Sequence, residues 1–120
     1  MKTILIIDDH EPTQALLAHV VRPTGAQIVS AATVDEGLQL ARQIQPNVIL
    51  MDIYLPGTKN GWDATRHIKS SPELQHIPVI IITAGGAADD EARAVQVQAD
   101  GFYRKPFNMP DLLEHIRQYL

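Results

Sequence analysis

Three runs of the chain, Ile4–Ile7, Val48–Met51 and Val79–Ile82, are apolar at every position. A strand with one wet face alternates apolar and polar residues, whereas a strand buried on both faces reads as an unbroken apolar run. That arises when helices cover both sides of a parallel sheet. A fourth run, Ile28 to Ala32, is interrupted by Ser30, and a weaker fifth lies at Phe102-Tyr103. These five segments are the expected strands.

The intervening segments carry helical spacing. Leu16, Leu17, Val20 and Val21 fall at i, i+1, i+4 and i+5, and Val34, Leu38, Ala41 and Ile44 at gaps of four, three and three. Trp62, Thr65 and Ile68 give a thinner stripe, as do Ala88, Ala92, Val95 and Ala99. Leu112, Leu113, Ile116 and Leu120 define a last helix, with Asn108 as the expected cap and Asp111 three residues on. Breakers mark the connections: Pro23-Thr24-Gly25, Pro46-Asn47, Pro56 to Gly61, Ser71-Pro72, Gly85-Gly86, Asp100-Gly101 and Lys105-Pro106. Strand and helix alternating five times over 120 residues predict one domain, residues 1–120, built from βαβ units with helices on both faces of a mostly parallel sheet.

Composition narrows the function classes. Ten Lys and Arg against 14 Asp and Glu give a formal charge of −4, and no window is densely basic. Direct nucleic-acid binding is therefore disfavoured, because it needs a concentrated positive footprint. The absence of Cys removes disulfides, thiolate metal sites and thiol nucleophiles. The apolar start ends at Asp8-Asp9, too short for a signal peptide or a bilayer span, so no membrane association and a cytoplasmic location are expected.

In a parallel sheet all strand C-termini lie along one edge, where ligands bind. The runs are followed there by Asp8-Asp9, Asp52, Thr83 and Lys105. Any one of these residues alone reads as a cap, a turn former or a solvated charge. Agreement across four strand ends points instead to a site. Neighbouring carboxylates raise one another's pKa unless a cation sits among them, and hard oxygen donors around a half-open site suit Mg²⁺. An ammonium and a hydroxyl opposite complete what is needed to surround a transferring phosphoryl group, with Asp52 as the nucleophile. The five histidines, His10, His19, His67, His76 and His115, show no metal-binding pairing. Only His10, next to the acid pair, stands where it could line the site.

These residues resemble the receiver domain of two-component response regulators. The likeness runs through Ile4 to Asp9, Leu50-Met51-Asp52-Ile53-Tyr54-Leu55-Pro56-Gly57, Ile77 to Ala84, and Ala99 to Phe107. It implies a flavodoxin-like doubly wound five-stranded parallel sheet in order 2-1-3-4-5 with five helices. It further implies that Asp52 accepts a phosphoryl group from a sensor histidine kinase or a histidine phosphotransfer protein. Asp9 and Asp52 would ligate Mg²⁺ together with the backbone carbonyl of Tyr54, and Asp8 would act through water. Lys105 would pair with the phosphoryl oxygens. Thr83 would move toward them and allow Phe102 to rotate inward, changing the face made by the fourth helix, fifth strand and fifth helix. That face, near which Arg93, Arg104, Asp111, Glu114 and Arg117 are expected, would meet a downstream protein target or a second copy in a homodimer. Such a protein is a signalling phosphoacceptor rather than an enzyme, although it assists its own phosphotransfer and autodephosphorylation. Tyr54 and Gly85 would flank the path of attacking water.

Two alternatives share parts of the pattern. A small phosphatase of the haloacid-dehalogenase type also uses a strand-end Asp with Mg²⁺, but a proton-donating Asp is wanted two residues on, where Tyr54 stands. A flavodoxin-like FMN carrier needs a phosphate-binding loop where Asp8-Asp9 would repel the phosphate. A pseudo-receiver that is not phosphorylated is disfavoured by the complete set of site residues.

Overall fold

The computed structural model describes residues 1–84 and 88–120. Strands β1 (Thr3–Ile7), β2 (Gln27–Ala31), β3 (Val48–Met51), β4 (Val79–Thr83) and β5 (Gly101–Arg104) alternate with helices α1 (Glu11–Val21), α2 (Val34–Ile44), α3 (Gly61–Ser70), α4 (Asp90–Gln96) and α5 (Met109–Arg117). All pairings are parallel and the order is β2-β1-β3-β4-β5. The expected flavodoxin-like topology is therefore the one found. The chain steps outward from β1 to β2 and then returns past β1 to β3, so the connections after β1 and β3 leave toward opposite faces. The crevice between them is the place where such sheets bind ligands.

Strand alternation sorts the core into two halves. Ile4, Ile6, Val48, Leu50, Ile80 and Ile82 meet Leu17 and Val21 of α1 and Leu112 and Ile116 of α5. Leu5, Ile7, Ile49, Met51, Val79 and Ile81 face the other way, onto Val34, Leu38 and Ala41 of α2, Trp62 and Ile68 of α3 and Ala94 of α4. The three central strands are buried at every position, which is why their sequences do not alternate. Each such aliphatic side chain contributes about 1.5–3 kcal/mol on burial. The outer strands are different. Gln27 and Ser30 of β2 and Arg104 of β5 are exposed, and polar side chains there discourage edge-to-edge pairing with another chain.

Helix starts follow local chemistry. Asn60 opens α3 with a reciprocal capping box: its side chain accepts from the Asp63 N–H at 3.0 Å, and Asp63 accepts from the Asn60 N–H at 2.9 Å. Asn108 caps α5 through the Asp111 N–H at 2.9 Å, as expected. Thr33 caps α2 through the Glu36 N–H at 3.1 Å.

Two expected core stripes are corrected. Leu16 is 38% exposed, and the buried set of α1 is Thr13, Leu17, Val20 and Val21. In the fourth helical segment Ala92 is exposed and Val95 is 77% exposed, while Asp90, Ala94 and Val97 are buried. Small and apolar residues occupy both phases of this helix, so periodicity could not choose between them. The buried side includes an acid, Asp90, that a hydrophobic count leaves out. Gly85 lies outside the described residues.

Gly61 sets the approach of α3 to the end of β3. A Cβ there would collide with the Asp52 carbonyl oxygen and stand 2.8 Å from Ile53 Cα, and both are backbone. At Gly37 a Cβ would meet only the Ile7 side chain, which can rotate. Gly61→Ala should therefore lower unfolding free energy in urea by about 1–3 kcal/mol, and Gly37→Ala by clearly less. An equal or reversed ranking would contradict the close approach of α3.

Candidate functional site

The register of β1 and β3 creates the site. Ile7 lies opposite Met51, so the next residues, Asp8 and Asp52, emerge side by side, and the Asp52 N–H still donates to the Ile7 carbonyl at 2.9 Å. Carboxylate oxygens of Asp8, Asp9 and Asp52 all lie within 4.8 Å of one another. Asp8 is buried, Asp52 partly buried and Asp9 exposed, so the cluster is closed at the sheet and open toward solvent.

Hydrogen bonds hold the acids in place. Asp8 Oδ1 accepts from the His10 N–H at 2.9 Å, and the Asp8 carbonyl accepts from the Gln14 side-chain amide. Asp52 Oδ1 accepts from the Tyr54 N–H at 3.4 Å. The Lys105 ammonium lies 4.0 Å from Asp8 Oδ2 and donates to Thr13 Oγ1 at 3.3 Å. Lys105 precedes Pro106 across a cis peptide bond, and its N–H donates to the Thr83 carbonyl at 2.8 Å, which fixes where the chain turns in after β5.

Burial pushes the Asp52 carboxyl from its usual 3.8 up to about 6; the Asp8 charge adds to the rise, and the Tyr54 N–H and Lys105 oppose it. Asp8 is also raised, chiefly by burial, against the pull of the His10 N–H and Lys105. Two carboxylates strained upward beside a third, in a partly open pocket, are what a hard divalent cation relieves. The donor set, oxygens only, fits Mg²⁺.

Thr83 is fully buried at the end of β4. It follows Ile81 by two residues and so faces the α2, α3 and α4 half of the core, the half against which Phe102 packs from β5. The Arg104 guanidinium stands 5.3 Å from the centre of the Phe102 ring and 4.0 Å from Asp90 Oδ2. That oxygen has no hydrogen-bond partner among the described residues. The expected site residues thus group as Asp8, Asp9, Asp52 and Lys105 in the pocket, with Thr83 and Phe102 on the neighbouring strands. Of the charged residues expected near the outer face, Arg93 turns instead over Trp62, 5.0 Å from its ring centre. Asp111 and Glu114 line a groove with Tyr103 and His115. Tyr54 is 56% exposed beside the pocket.

Sequence reading missed Thr13 and Asp90. Thr13 sits one helical turn beyond the acid pair in a position that reads as plain α1 surface. Asp90 reads as an acid at a helix start, attracted by the helix dipole. The contacts that matter, Asp90 with Arg104 and Thr13 with Lys105, form only once β5 is in place and so leave no local signature.

Fold and site together define a doubly wound α/β domain with an acidic, lysine-flanked pocket at its switch point. The family model for the response regulator receiver domain matches residues 4–117, and the chain belongs to that family, the receiver domains of two-component systems. It is 35% identical over 119 residues to the polar-differentiation response regulator DivK of Brucella ovis, covering 99% of this chain and 96% of that protein. Among solved structures it is similar to the signal receiver domain of a histidine kinase from Syntrophus aciditrophicus, with a TM-score of 0.89 and 28% identity over 100% of this chain and 90% of that one. It is likewise similar to the signal receiver domain of a DNA-binding response regulator from Colwellia psychrerythraea 34H, with a TM-score of 0.89 and 28% identity over 98% and 97%. Among the described residues no helix is long and apolar enough to cross a membrane.

The raised Asp52 carboxyl has a thermodynamic consequence. It holds its proton more tightly folded than unfolded, so ionising it works against the folded state. That penalty is absent below the unfolded value of 3.8 and complete above about 6. In EDTA, Asp52→Asn should be more stable than the native chain at pH 7.5, by about 1–2 kcal/mol after allowance for solvent screening. The advantage should shrink to nothing as pH falls toward 4. Urea melts across this range test it, and a difference independent of pH would contradict the assignment.

Proposed function

We propose that Asp52 is the phosphoacceptor of a two-component phosphorelay. A carboxylate oxygen of Asp52 attacks the phosphorus of a phosphohistidine on a sensor kinase or phosphotransfer protein. The P–O bond of an acyl phosphate forms, the P–N bond breaks, and the imidazole leaves with the bonding electron pair and takes up a proton. The observation that carries this reading is the convergence of Asp8, Asp9 and Asp52 within 4.8 Å, with the Lys105 ammonium 4.0 Å from Asp8, at the sheet's switch point.

Asp9 and Asp52, with the backbone carbonyl of Tyr54, would hold Mg²⁺ directly and Asp8 through water. The ion, when bound, supplies positive charge for the phosphoryl oxygens. Lys105 supplies the same on the opposite side. With its carboxyl at about 6, Asp52 is largely ionised at neutral pH and remains a competent nucleophile. The site is open on the Asp9 and Tyr54 side, where a donor imidazole can enter.

The output is a change of packing. Charge arriving on Asp52 draws Thr83 toward it, and Phe102, on the same side of the sheet, moves into the vacated space. The surface of α4, β5 and α5 changes with it and alters binding to a downstream protein or a second copy of the chain. Exposed Val95 and the groove between Tyr103 and Glu114 lie on these elements. The setting that suits such a relay is the cytoplasm.

Intact-protein mass spectrometry after incubation with acetyl phosphate tests the chemistry. The native chain should gain one phosphoryl group only with Mg²⁺, Asp52→Asn should gain none, and Lys105→Ala should label about tenfold more slowly or less. Thr83→Ala should still label but lose most of the phosphorylation-dependent change in Trp62 fluorescence. Equal labelling of Asp52→Asn would disprove the acceptor.

A further inference from the structure

Lys105 does not hang in the pocket by its backbone alone. Its ammonium donates to Thr13 Oγ1 at 3.3 Å, and the same oxygen lies 2.7 Å from His10 Nδ1. Thr13 is 8% exposed, in the first turn of α1. An ammonium has only protons to give, so the threonine oxygen must accept from it. The hydroxyl proton then remains for a second partner, and His10 Nδ1 is within reach. The His10 backbone N–H meanwhile binds Asp8 Oδ1 at 2.9 Å. One short segment, residues 8 to 13, therefore fixes both the acid beside the acceptor and the cation that faces it.

The geometry points to Thr13 as a positioning residue for phosphotransfer, acting through Lys105. The inference rests on the phosphoacceptor reading above for its effect on rate, but not for the placement itself. A lysine has four side-chain torsions to order before its charge can serve a transition state. Held by Thr13 at one side and attracted by Asp8 at 4.0 Å, the ammonium has much of that ordering done before the phosphodonor arrives. The hydroxyl is also a moderate partner: a neutral acceptor at 3.3 Å releases the ammonium to a dianionic phosphoryl group more readily than a close ion pair would. Asp8 alone, at its longer distance, would leave the lysine free to turn toward solvent. The His10 ring is the third member: with Nδ1 unprotonated it accepts the hydroxyl proton and turns the oxygen's lone pairs toward Lys105.

Thr13→Val removes the hydroxyl and keeps the branched shape, and Thr13→Ser keeps the hydroxyl. Labelling by acetyl phosphate with Mg²⁺ should slow roughly five- to tenfold in Thr13→Val, the factor of one hydrogen bond of ordinary net strength, and return to within about twofold of native in Thr13→Ser. The Mg²⁺ titration midpoint, followed by Trp62 fluorescence, should not move, because Thr13 touches the lysine and not the acids. A second readout needs neither metal nor phosphate. Acylation of Lys105 by a water-soluble N-hydroxysuccinimide ester, mapped by peptide mass spectrometry, should be about threefold faster in Thr13→Val, where the ammonium is no longer held. Unchanged labelling would overturn the proposal. So would a rate loss accompanied by an equal loss of Mg²⁺ affinity, since the threonine would then be shaping the acid pair. A native chain that takes no phosphoryl group, yet shows the expected acylation contrast, would count against the phosphoacceptor reading and leave the placement of Lys105 by Thr13 standing.

Discussion

Everything at the site follows from the placement of two carboxylates as adjacent neighbours at the ends of β1 and β3. The central strands are packed on both faces, so their register cannot slip without driving apolar side chains out of both halves of the core. Because Ile7 is locked opposite Met51, Asp8 must stand beside Asp52. The core thus holds two carboxyl groups close together and partly out of water; burial raises both, and for Asp52 the Asp8 charge adds to the rise. The fold's stability is spent on holding like charges together, and a cation or a proton is what they then attract.

Around that repulsion the remaining groups divide by distance from the sheet's centre. Lys105 and Thr13 approach from one side, through β5 and α1, and the Tyr54 N–H and Gly61 from the other, through the β3–α3 connection. Gly61 is essential to the second approach, since α3 begins against the backbone of Asp52 and Ile53. Close backbone approach therefore shapes one side of the pocket, and the Lys105 side chain closes the other. That is consistent with a site that must hold its shape while a small, highly charged group arrives and leaves.

Much of this was legible in the sequence, for a physical reason. Strands buried on both faces produce unbroken apolar runs, and the residue after each run must lie on one edge, so Asp8, Asp9, Asp52, Thr83 and Lys105 could be placed together without knowing any contact. What could not be read depended on phase or on tertiary partners. The α4 segment carries apolar residues on two sides, and Asp90, not Val95, turned inward. Thr13 could be recognised only once β5 was known to deliver Lys105 beside α1. The switch movement proposed for Thr83 and Phe102 rests on the resemblance, and the structure adds that they share a face of the sheet.

At the far end of the sheet, away from the acids, one carboxylate oxygen of Asp100 takes both the Lys69 ammonium at 2.7 Å and the Val79 N–H at 2.8 Å, and Lys69 also reaches the Ile77 carbonyl at 3.0 Å. The end of α3, the start of β4 and the start of β5 are thereby pinned at one point. The start of Thr83's own strand, four residues earlier, is held at that point. The displacement proposed above for Thr83 would therefore be smallest at Asp100 and largest at the other end of the strand pair, where Arg104 and Lys105 stand.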